Sequence, residues 1–139
     1  FGLQIPDGDI TPELIGTGIA QEEFATLSNE HSVAGIMPYI RYYLPKTTVT
    51  PLVISARLSP KEVILLSEKL DALTNDDTVI VASVDFSHYL SSPEAIRNDM
   101  MTLGIMQSFD FDNLHKLNND YVDSPNSIAL FLHLMKLKK

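Results

Sequence analysis

The sequence of 139 residues predicts an α/β fold in which a mostly parallel sheet is covered by helices. Residues 49–55 (VTPLVIS) and 78–84 (TVIVASV) are rich in β-branched side chains, and the second segment is apolar almost throughout, like a strand buried on both faces. A helical pattern lies between them, which is typical of a parallel β-α-β unit. Because two or three strands make a thin sheet, we expect the chain to be an incomplete half of the full domain.

A strand end and a helix are predicted before the first of these strands. Residues 1–9 (FGLQIPDGD) combine apolar residues with a Pro-Asp-Gly turn, which is typical of a strand end followed by a turn. Thr11 is a good N-cap and Pro12 suits the first helical position, so a helix is expected to begin there. This helix is predicted to stop near Gly16 or Gly18.

Two further helices flank residues 49–55. Apolar residues recur with helical spacing from about Ser32, but Pro38 lies inside the pattern and predicts a kink or a late start, because proline lacks a backbone donor. Ser59 and Glu62 have the spacing of a capping box, in which each side chain bonds to the backbone N–H of the other residue. That helix is predicted to run to about Leu73.

Three helices are predicted after the second strand. The first of them places Ile96, Met100, Leu103 and Met106 in register on one apolar face. We find no repeat and no linker along the chain, so a single domain over residues 1–139 is predicted. The first helix is predicted to begin at residue 92, the second to cover residues 112–117 and the third to cover residues 127–137.

The composition excludes several kinds of function. The chain carries 10 Lys and Arg against 18 Asp and Glu, a net charge of −8, so it lacks the basic surface that nucleic acid requires and no nucleic-acid partner is predicted. It contains no Cys, which excludes disulfides, a thiolate zinc site and a cysteine nucleophile. Neither a Gly-x-Ser-x-Gly elbow nor a glycine-rich phosphate loop occurs in the sequence.

Signals for membranes or export are also missing from the sequence. No run approaches the ~20 apolar residues that a bilayer span requires, so no membrane partner is predicted. No signal-peptide pattern follows Phe1, and a cytoplasmic location is therefore expected. Because the chain begins with Phe1 rather than Met, we expect it to be a fragment.

Two of the four histidines lie where functional sites often form. His88 directly follows the second predicted strand, and ligand sites gather at the carboxyl ends of parallel strands. Asp85 precedes His88 closely enough for its carboxylate to orient or charge the imidazole. His31 lies at the start of a helix, where free backbone N–H groups favour an anion or an oxyanion. His31, Asp85 and His88 are therefore the candidate catalytic residues.

The same residues also have purely structural interpretations. His31 could be a helix cap or a surface group, and residues 85–88 could form an Asx-turn that caps a loop. The other two histidines lie in predicted helices beside lysines. We expect His115 to be solvated, and His133 suits the C-terminal end of a helix dipole.

Three segments together resemble the MEMO-like family, whose prokaryotic members are called AmmeMemoRadiSam system protein B. They are residues 30–39 (EHSVAGIMPY), 50–54 (TPLVI) and 82–89 (ASVDFSHY), and they occur in the order and roughly the spacing of that family. Asp99, in the helix after the third segment, also falls where the family tends to have Asp. The resemblance runs from near Phe1 to the C-terminus and identifies the chain as the C-terminal portion of a MEMO-like domain.

The resemblance implies a fold similar to that of the class III extradiol dioxygenases, which hold a non-haem metal at one end of an α/β sheet. In the ring-cleaving relatives, the histidine at the place of His88 acts as acid/base and the one at the place of His31 lines the same pocket. The implied function is a metal-dependent redox enzyme. In it, His88 would transfer protons, Asp85 would hold His88 in place, and His31 would polarise substrate or dioxygen.

The resemblance also implies a metal ligand late in the chain. Aligning residues 127–130 (SIAL) with the last helix places Asp123 at the final ligand position, where the namesake of the family has Cys. A carboxylate at that place suits non-haem Fe(II), or another divalent metal, in a 2-His-1-carboxylate arrangement. The His-x-Gly-Tyr segment of the family, which supplies two ligands, would lie upstream of Phe1.

Two other interpretations stay open, so the sequence does not decide whether the chain is an enzyme. Ala34, Ile36 and Val84 replace residues that are usually polar in the family, and the alternative function is a non-catalytic MEMO-like module that binds metal, peptide or protein. The third interpretation is an unrelated α/β domain. Because a half-sheet has an open edge, we expect association with an absent N-terminal half or with another copy.

Overall fold

The structure is a computed structural model that describes residues 5–6, 8 and 10–138. The described residues are predominantly helical and form two compact units, residues 1–53 and 54–139. The candidate site residues are divided between the units. His31 belongs to the first, and Asp85, His88 and Asp123 belong to the second.

Short helices and one pair of parallel strands make up the described residues of the first unit. Strand β1 (Ile5–Pro6) pairs with strand β2 (Thr48–Val49), with Ile5 opposite Thr48 and Pro6 opposite Val49. Leu14 is only 1% exposed and is the buried apolar side chain of this unit's first helix. The helices are α1 (Ile10–Gly16), α2 (Phe24–Asn29), α3 (His31–Ala34) and α4 (Met37–Tyr43).

The helices of the first unit agree in part with the sequence. The predicted end of α1 is confirmed at Gly16, and Gly18 follows with a φ of 75°, a left-handed conformation that glycine adopts without strain. The helix predicted from Ser32 is divided into α3 and α4. Pro38 lies in the first turn of α4, where its missing N–H costs no helical hydrogen bond, so the late start is confirmed. Helix α2 is not among the predicted elements.

The first predicted strand is mostly absent. The prediction over residues 49–55 is wrong beyond Val49, because residues 50–55 take part in no strand pairing within the part of the chain that the structure describes. Pro51 cannot donate to a strand ladder, which limits the pairing that this segment can make. The predicted turn after β1 includes residues 7 and 9, which lie outside the described residues.

The helices of the second unit were all predicted, with small shifts at their ends. Ser59 forms the predicted capping box: its N–H donates to Glu62 Oε2 at 2.7 Å, and the Glu62 N–H donates to Ser59 Oγ at 3.4 Å. The first helix of this unit packs against the last, and burial of each aliphatic side chain there contributes about 1.5–3 kcal/mol. The helices are α5 (Pro60–Leu73), α6 (Ser92–Gln107), α7 (Phe111–Leu114) and α8 (Pro125–Leu137). Their buried apolar side chains include Val63, Leu66, Leu70, Ile128, Leu132 and Leu134.

The second predicted strand does not form a strand in the structure. Residues 79–84 make no backbone hydrogen bond with any described residue. Val79 is 85% exposed, whereas Ile80, Ala82 and Val84 line an apolar cavity. A parallel strand needs a neighbouring strand at its edge, and the described residues offer none to this segment. Among the described residues, the predicted parallel sheet is therefore represented by the β1–β2 pair alone.

Helix α6 exposes most of the apolar face that the sequence predicts to be buried, although Met106 at its end is half-buried and lines the apolar cavity. Ile96 is 61% exposed and Met100 is 65% exposed. We call Ile96, Met100 and Leu103 the α6 stripe. The opposite face buries Asn98 and Thr102, so a polar row of this helix faces the interior of the unit. The reason is that Asn98 and Thr102 hydrogen-bond to the loop that precedes α8.

No helix within residues 5–6, 8 and 10–138 is both long enough and apolar enough to cross a membrane.

Candidate functional site

The buried row of α6 holds the loop that precedes α8. The Asn98 side chain donates from Nδ2 to the carbonyl oxygen of Asp120 at 2.9 Å, and Asn98 is only 8% exposed. The fully buried Thr102 hydroxyl lies 3.1 Å from the carbonyl oxygen of Asn98 and 3.5 Å from that of Tyr121. Polar side chains on one helix thus fix the backbone immediately before Asp123.

The same helix also holds the loop that carries His88. Asp99 Oδ1 accepts two hydrogen bonds from Ser87, one from its backbone N–H at 3.1 Å and one from its hydroxyl at 2.6 Å. The Ser87 hydroxyl also lies 3.2 Å from the carbonyl oxygen of Ala95. A carboxylate that accepts from both donors of one residue restrains that residue strongly, because hydrogen bonds to charged acceptors are the stronger ones.

The two loops contact each other directly. The Asp85 N–H donates to Asp123 Oδ1 at 3.1 Å, and the Asp123 N–H donates to the carbonyl oxygen of Asp85 at 3.1 Å. Next to this pair, Phe86 forms an antiparallel bridge with Val122, whose side chain is fully buried. The structure therefore brings Asp85, Asp123 and the segment that carries His88 into one place.

His88 is oriented by the backbone of its own loop. Its Nδ1 lies 3.1 Å from the carbonyl oxygen of Phe86. The imidazole meets the Tyr89 ring edge-on, with the ring centroids 4.7 Å apart. The sequence predicts that Asp85 holds His88 in place. The orienting contact that the structure describes comes from Phe86 instead, while Asp85 bonds to Asp123.

His31 lies in the first unit as the first residue of α3, and its side chain is exposed. The N-cap is its neighbour Glu30, whose Oε1 accepts from the Ser32 N–H at 3.0 Å and from the Ser32 hydroxyl at 2.9 Å. These hydrogen bonds lower the pKa of the Glu30 carboxyl, because they stabilise its charged form. The sequence left open whether His31 caps this helix, and in the structure Glu30 has that role.

The described residues do not by themselves form a metal centre. Within residues 5–6, 8 and 10–138, no three His, Asp or Glu side chains lie close enough together to hold an ion. One oxygen of Asp123 already accepts the Asp85 N–H. The carboxylate of Asp123 can therefore supply at most part of a coordination shell.

Sequence reasoning from local patterns missed Asn98 and Thr102, and it included Ser87 in the polar segment before His88 without giving it a partner. Asn98 and Thr102 are separated by one helical turn and share their face with the buried Ile105, and this spacing is the signal that could have identified them. Ser87 could not be recognised in this way, because its partner Asp99 lies on a different element. The resemblance alone pointed to Asp99.

An apolar cavity of about 400 Å³ lies beside the loop that carries His88. Phe86 connects the two features, because its side chain lines the cavity while its carbonyl oxygen contacts His88. Side chains from residues 80–84 and from α8 make up much of the remaining wall. They include Ile80, Ala82, Val84, Ile128 and Phe131.

The other two histidines of the second unit are half-buried, so the prediction that His115 is solvated is wrong. His133 stacks on Phe111, with ring centroids 3.9 Å apart and ring planes inclined by 12°. Burial lowers the pKa of His133, and the nearby charges of Lys136 and His115 act in the same direction. The Nε2 atom of His115 is buried without a hydrogen-bond partner among the described residues.

The whole chain matches one protein family. The model of the family described as "Memo-like protein" matches residues 1–139, across both units, and the chain therefore belongs to the Memo-like family. A MEMO1 family protein of Desulfurococcus amylolyticus is 30% identical over 121 residues, which are 83% of this chain and 42% of the relative. A MEMO1 family protein of Ignicoccus hospitalis is 22% identical over 141 residues, 97% of this chain and 50% of the relative.

The chain spans about half the length of these curated relatives. No solved structure is significantly similar to it. The family that the sequence segments indicate is thus confirmed, while the likeness to class III extradiol dioxygenases and to AmmeMemoRadiSam system protein B stays a prediction.

Proposed function

We propose that the paired loops of the second unit carry part of a non-haem metal/redox site of a Memo-like protein, with His88 as its acid/base. One observation carries this proposal. Asp85 and Asp123, which are far apart in the sequence, exchange two hydrogen bonds beside His88. Histidine is the side chain best suited to accept and return a proton near neutral pH. Polar groups that converge beside an apolar cavity are a common plan for a small-molecule site.

The proposal extends to the fold and to His31. A dioxygenase-like parallel sheet would place residues 78–84 between neighbouring strands, which is consistent with the finding that residues 79–84 make no backbone hydrogen bond with any described residue. His31 is exposed at the start of α3, and it is proposed as a second functional histidine, in the first unit.

The proposed cofactor is Fe(II) or another divalent metal, with Asp123 as one ligand. Because the described residues supply no group of three ligands, the others would come from outside them. When bound, such a metal would supply Lewis-acid or redox chemistry. The proton-transfer role of His88 does not depend on the identity of the metal.

Anaerobic titration with Fe(II) alone, on the protein expressed from its complete gene, tests this function. We expect binding of one metal ion per chain, a loss of affinity of about tenfold or more in Asp123→Asn, and no loss in His88→Gln, because His88 is proposed as a proton carrier and not as a ligand. Asp120→Asn is the matched control, since it alters an exposed carboxyl on the same loop. Equal binding by the wild type and Asp123→Asn would overturn the assignment of the ligand.

A second candidate function is a non-catalytic Memo-like module that binds protein. The α6 stripe and the exposed Val79 favour it, because large apolar side chains on one unit are typical of interaction surfaces. The proposed partner is the complementary half of a Memo-like polypeptide or a second copy of this chain.

The mass of the protein in solution, measured by light scattering, tests the second candidate. Self-association that Met100→Lys abolishes would support it. Leu65→Lys, which alters an exposed apolar residue on α5, should leave the mass unchanged. A monomer that gains no partner when the complementary half of the Desulfurococcus relative is added would contradict it.

A further inference from the structure

We propose that Asp99 and Ser87 form a clamp that makes Nε2 of His88 the atom that binds and releases protons. In this view Asp99 is a positioning residue, because it acts on His88 through Ser87 and does not touch the imidazole. The functional meaning of the clamp rests on the proposed role of His88 as acid/base. The chemical form of the ring can be measured whatever that role is.

The tautomer of His88 follows from the partner of its Nδ1. The carbonyl oxygen of Phe86, 3.1 Å away, can only accept a hydrogen bond. Nδ1 must therefore carry the hydrogen and donate it. In the neutral ring the lone pair then lies on Nε2, and no hydrogen bond from a described residue occupies that atom.

The clamp keeps Phe86 and His88 in this relation. Ser87 lies between them, and Asp99 binds both its backbone N–H and its hydroxyl. The hydroxyl has a single hydrogen, and the 2.6 Å contact with the charged Asp99 oxygen is favoured over the 3.2 Å contact with Ala95. The backbone on either side of Ser87 is thus held against α6.

The helix that bears Asp99 is itself well anchored. Its first turn is capped by Ser91, whose N–H and hydroxyl both donate to the Glu94 carboxylate, at 3.3 and 2.6 Å. Its buried Asn98 bonds to the other loop. Asp99 therefore acts from a fixed support, which is what a positioning residue requires.

The backbone after His88 shows that this turn is held under constraint. Tyr89 has a φ of 60°, the left-handed region that a residue with a large side chain rarely adopts. Its side chain is 97% exposed, so its own packing does not explain that conformation. Such backbone persists where the surroundings determine it, and functional sites are where it concentrates.

Nitrogen NMR of the His88 ring tests the clamp, with the resonance assigned by its loss in His88→Gln. We expect the Nδ1–H tautomer in the wild type. Asp99→Asn retains an acceptor oxygen and should preserve that tautomer, whereas Asp99→Ala should shift the population toward the Nε2–H form that free imidazole prefers. Ser87→Ala, which removes only the hydroxyl contact, should give a smaller shift in the same direction. The ring of His133 is the internal reference, because it stacks on Phe111 and takes no part in the clamp.

Several results would overturn the inference. An Nε2–H tautomer in the wild type would contradict it, and so would an unchanged ring in Asp99→Ala when the amide spectrum shows that α6 and the loops stay folded. If Asp99→Ala does not fold, Ser87→Ala is the deciding variant. An unchanged tautomer of the His88 ring in Ser87→Ala would then overturn the clamp. The Fe(II) titration of Asp123→Asn measures metal affinity and does not depend on the tautomer of His88. The clamp can therefore be confirmed when the proposed metal function fails, and the metal function can be confirmed when the clamp fails.

Discussion

Asp85 and Asp123 exchange two hydrogen bonds across 38 residues of sequence: the Asp85 N–H donates to Asp123 Oδ1, and the Asp123 N–H donates to the Asp85 carbonyl oxygen, both at 3.1 Å. One partner in this exchange is a side chain, so it can be removed by substitution without altering the backbone. The relationship makes two separate loops into a single structural unit, and the proposed site depends on it.

Replacing Asp123 by Ala should lower the free energy of unfolding by about 1–3 kcal/mol, because it removes a charged acceptor and leaves the Asp85 N–H without its partner. Asp123→Asn retains an acceptor oxygen and should cost less. Urea unfolding of both variants measures the difference. A loss of the same size in both would show that the charge of Asp123, rather than its hydrogen bond to Asp85, is what stabilises the loops.

Asn98→Ala should lower the free energy of unfolding by about 1–2 kcal/mol, since the buried amide no longer satisfies the carbonyl oxygen of Asp120. The comparison is Asn119→Ala, which alters an exposed amide on the same loop and should change stability by less than about 0.5 kcal/mol. Thermal unfolding of the two variants measures this. Equal effects would mean that α6 does not hold the loop through Asn98.

Ile128→Ala should cost about 2–5 kcal/mol, because this α8 side chain is only 1% exposed and its removal enlarges the apolar cavity. Val79→Ala is the contrasting change. Val79 belongs to the segment 78–84 and is 85% exposed. Its truncation should lower the free energy of unfolding by less than about 0.5 kcal/mol. A large effect of Val79→Ala would show that the segment is packed in solution against something that the described residues do not include.

The stability of the second unit should fall as the pH drops below about 6.5, through His133. The pKa of this histidine is lowered in the folded state, so the unfolded chain takes up a proton that the folded chain resists. The contribution of His133 to the free energy of unfolding is complete above the ordinary histidine pKa. It is lost as the pH falls toward the lower pKa that His133 has in the folded state. Urea midpoints at about pH 8 and about pH 5.5 measure the loss.

His133→Phe is the variant that isolates this effect, because a phenyl ring can still stack on Phe111 and cannot titrate. It should reduce the difference between the two midpoints, whereas His31→Gln, in the first unit, should leave the difference unchanged. An undiminished pH dependence in His133→Phe would assign the effect to another group.

Features with a local cause were predictable from the sequence. The capping box of Ser59 and Glu62 lies within one helical turn, and α5 accordingly begins where it was predicted. The segment 78–84 shows the limit of such reasoning. Its composition is that of a buried strand, but a strand also needs partners, and the described residues provide none.

Helix α6 shows the same limit in a different way. Its periodicity identified a helix, yet periodicity does not tell which face will be covered. The covered face carries Asn98 and Thr102 beside the apolar Ile105. Asn98, Asp99 and Thr102 hydrogen-bond to two loops that are distant in sequence. Among the candidate site residues, the local sequence pattern indicated Asp85 and His88. Only the family resemblance indicated Asp123.

Amide hydrogen exchange at Asp85 and Asp123, followed by NMR, tests most directly whether the two loops form one site. Both amides should exchange slowly compared with the amides of residues 79–84, which make no backbone hydrogen bond with any described residue. Asp123→Ala should accelerate exchange at Asp85, while Ser87 stays protected by Asp99. Fast exchange at both Asp85 and Asp123 in the wild type, or an Asp85 amide that Asp123→Ala leaves unchanged, would contradict the pairing of the loops and the site built on it.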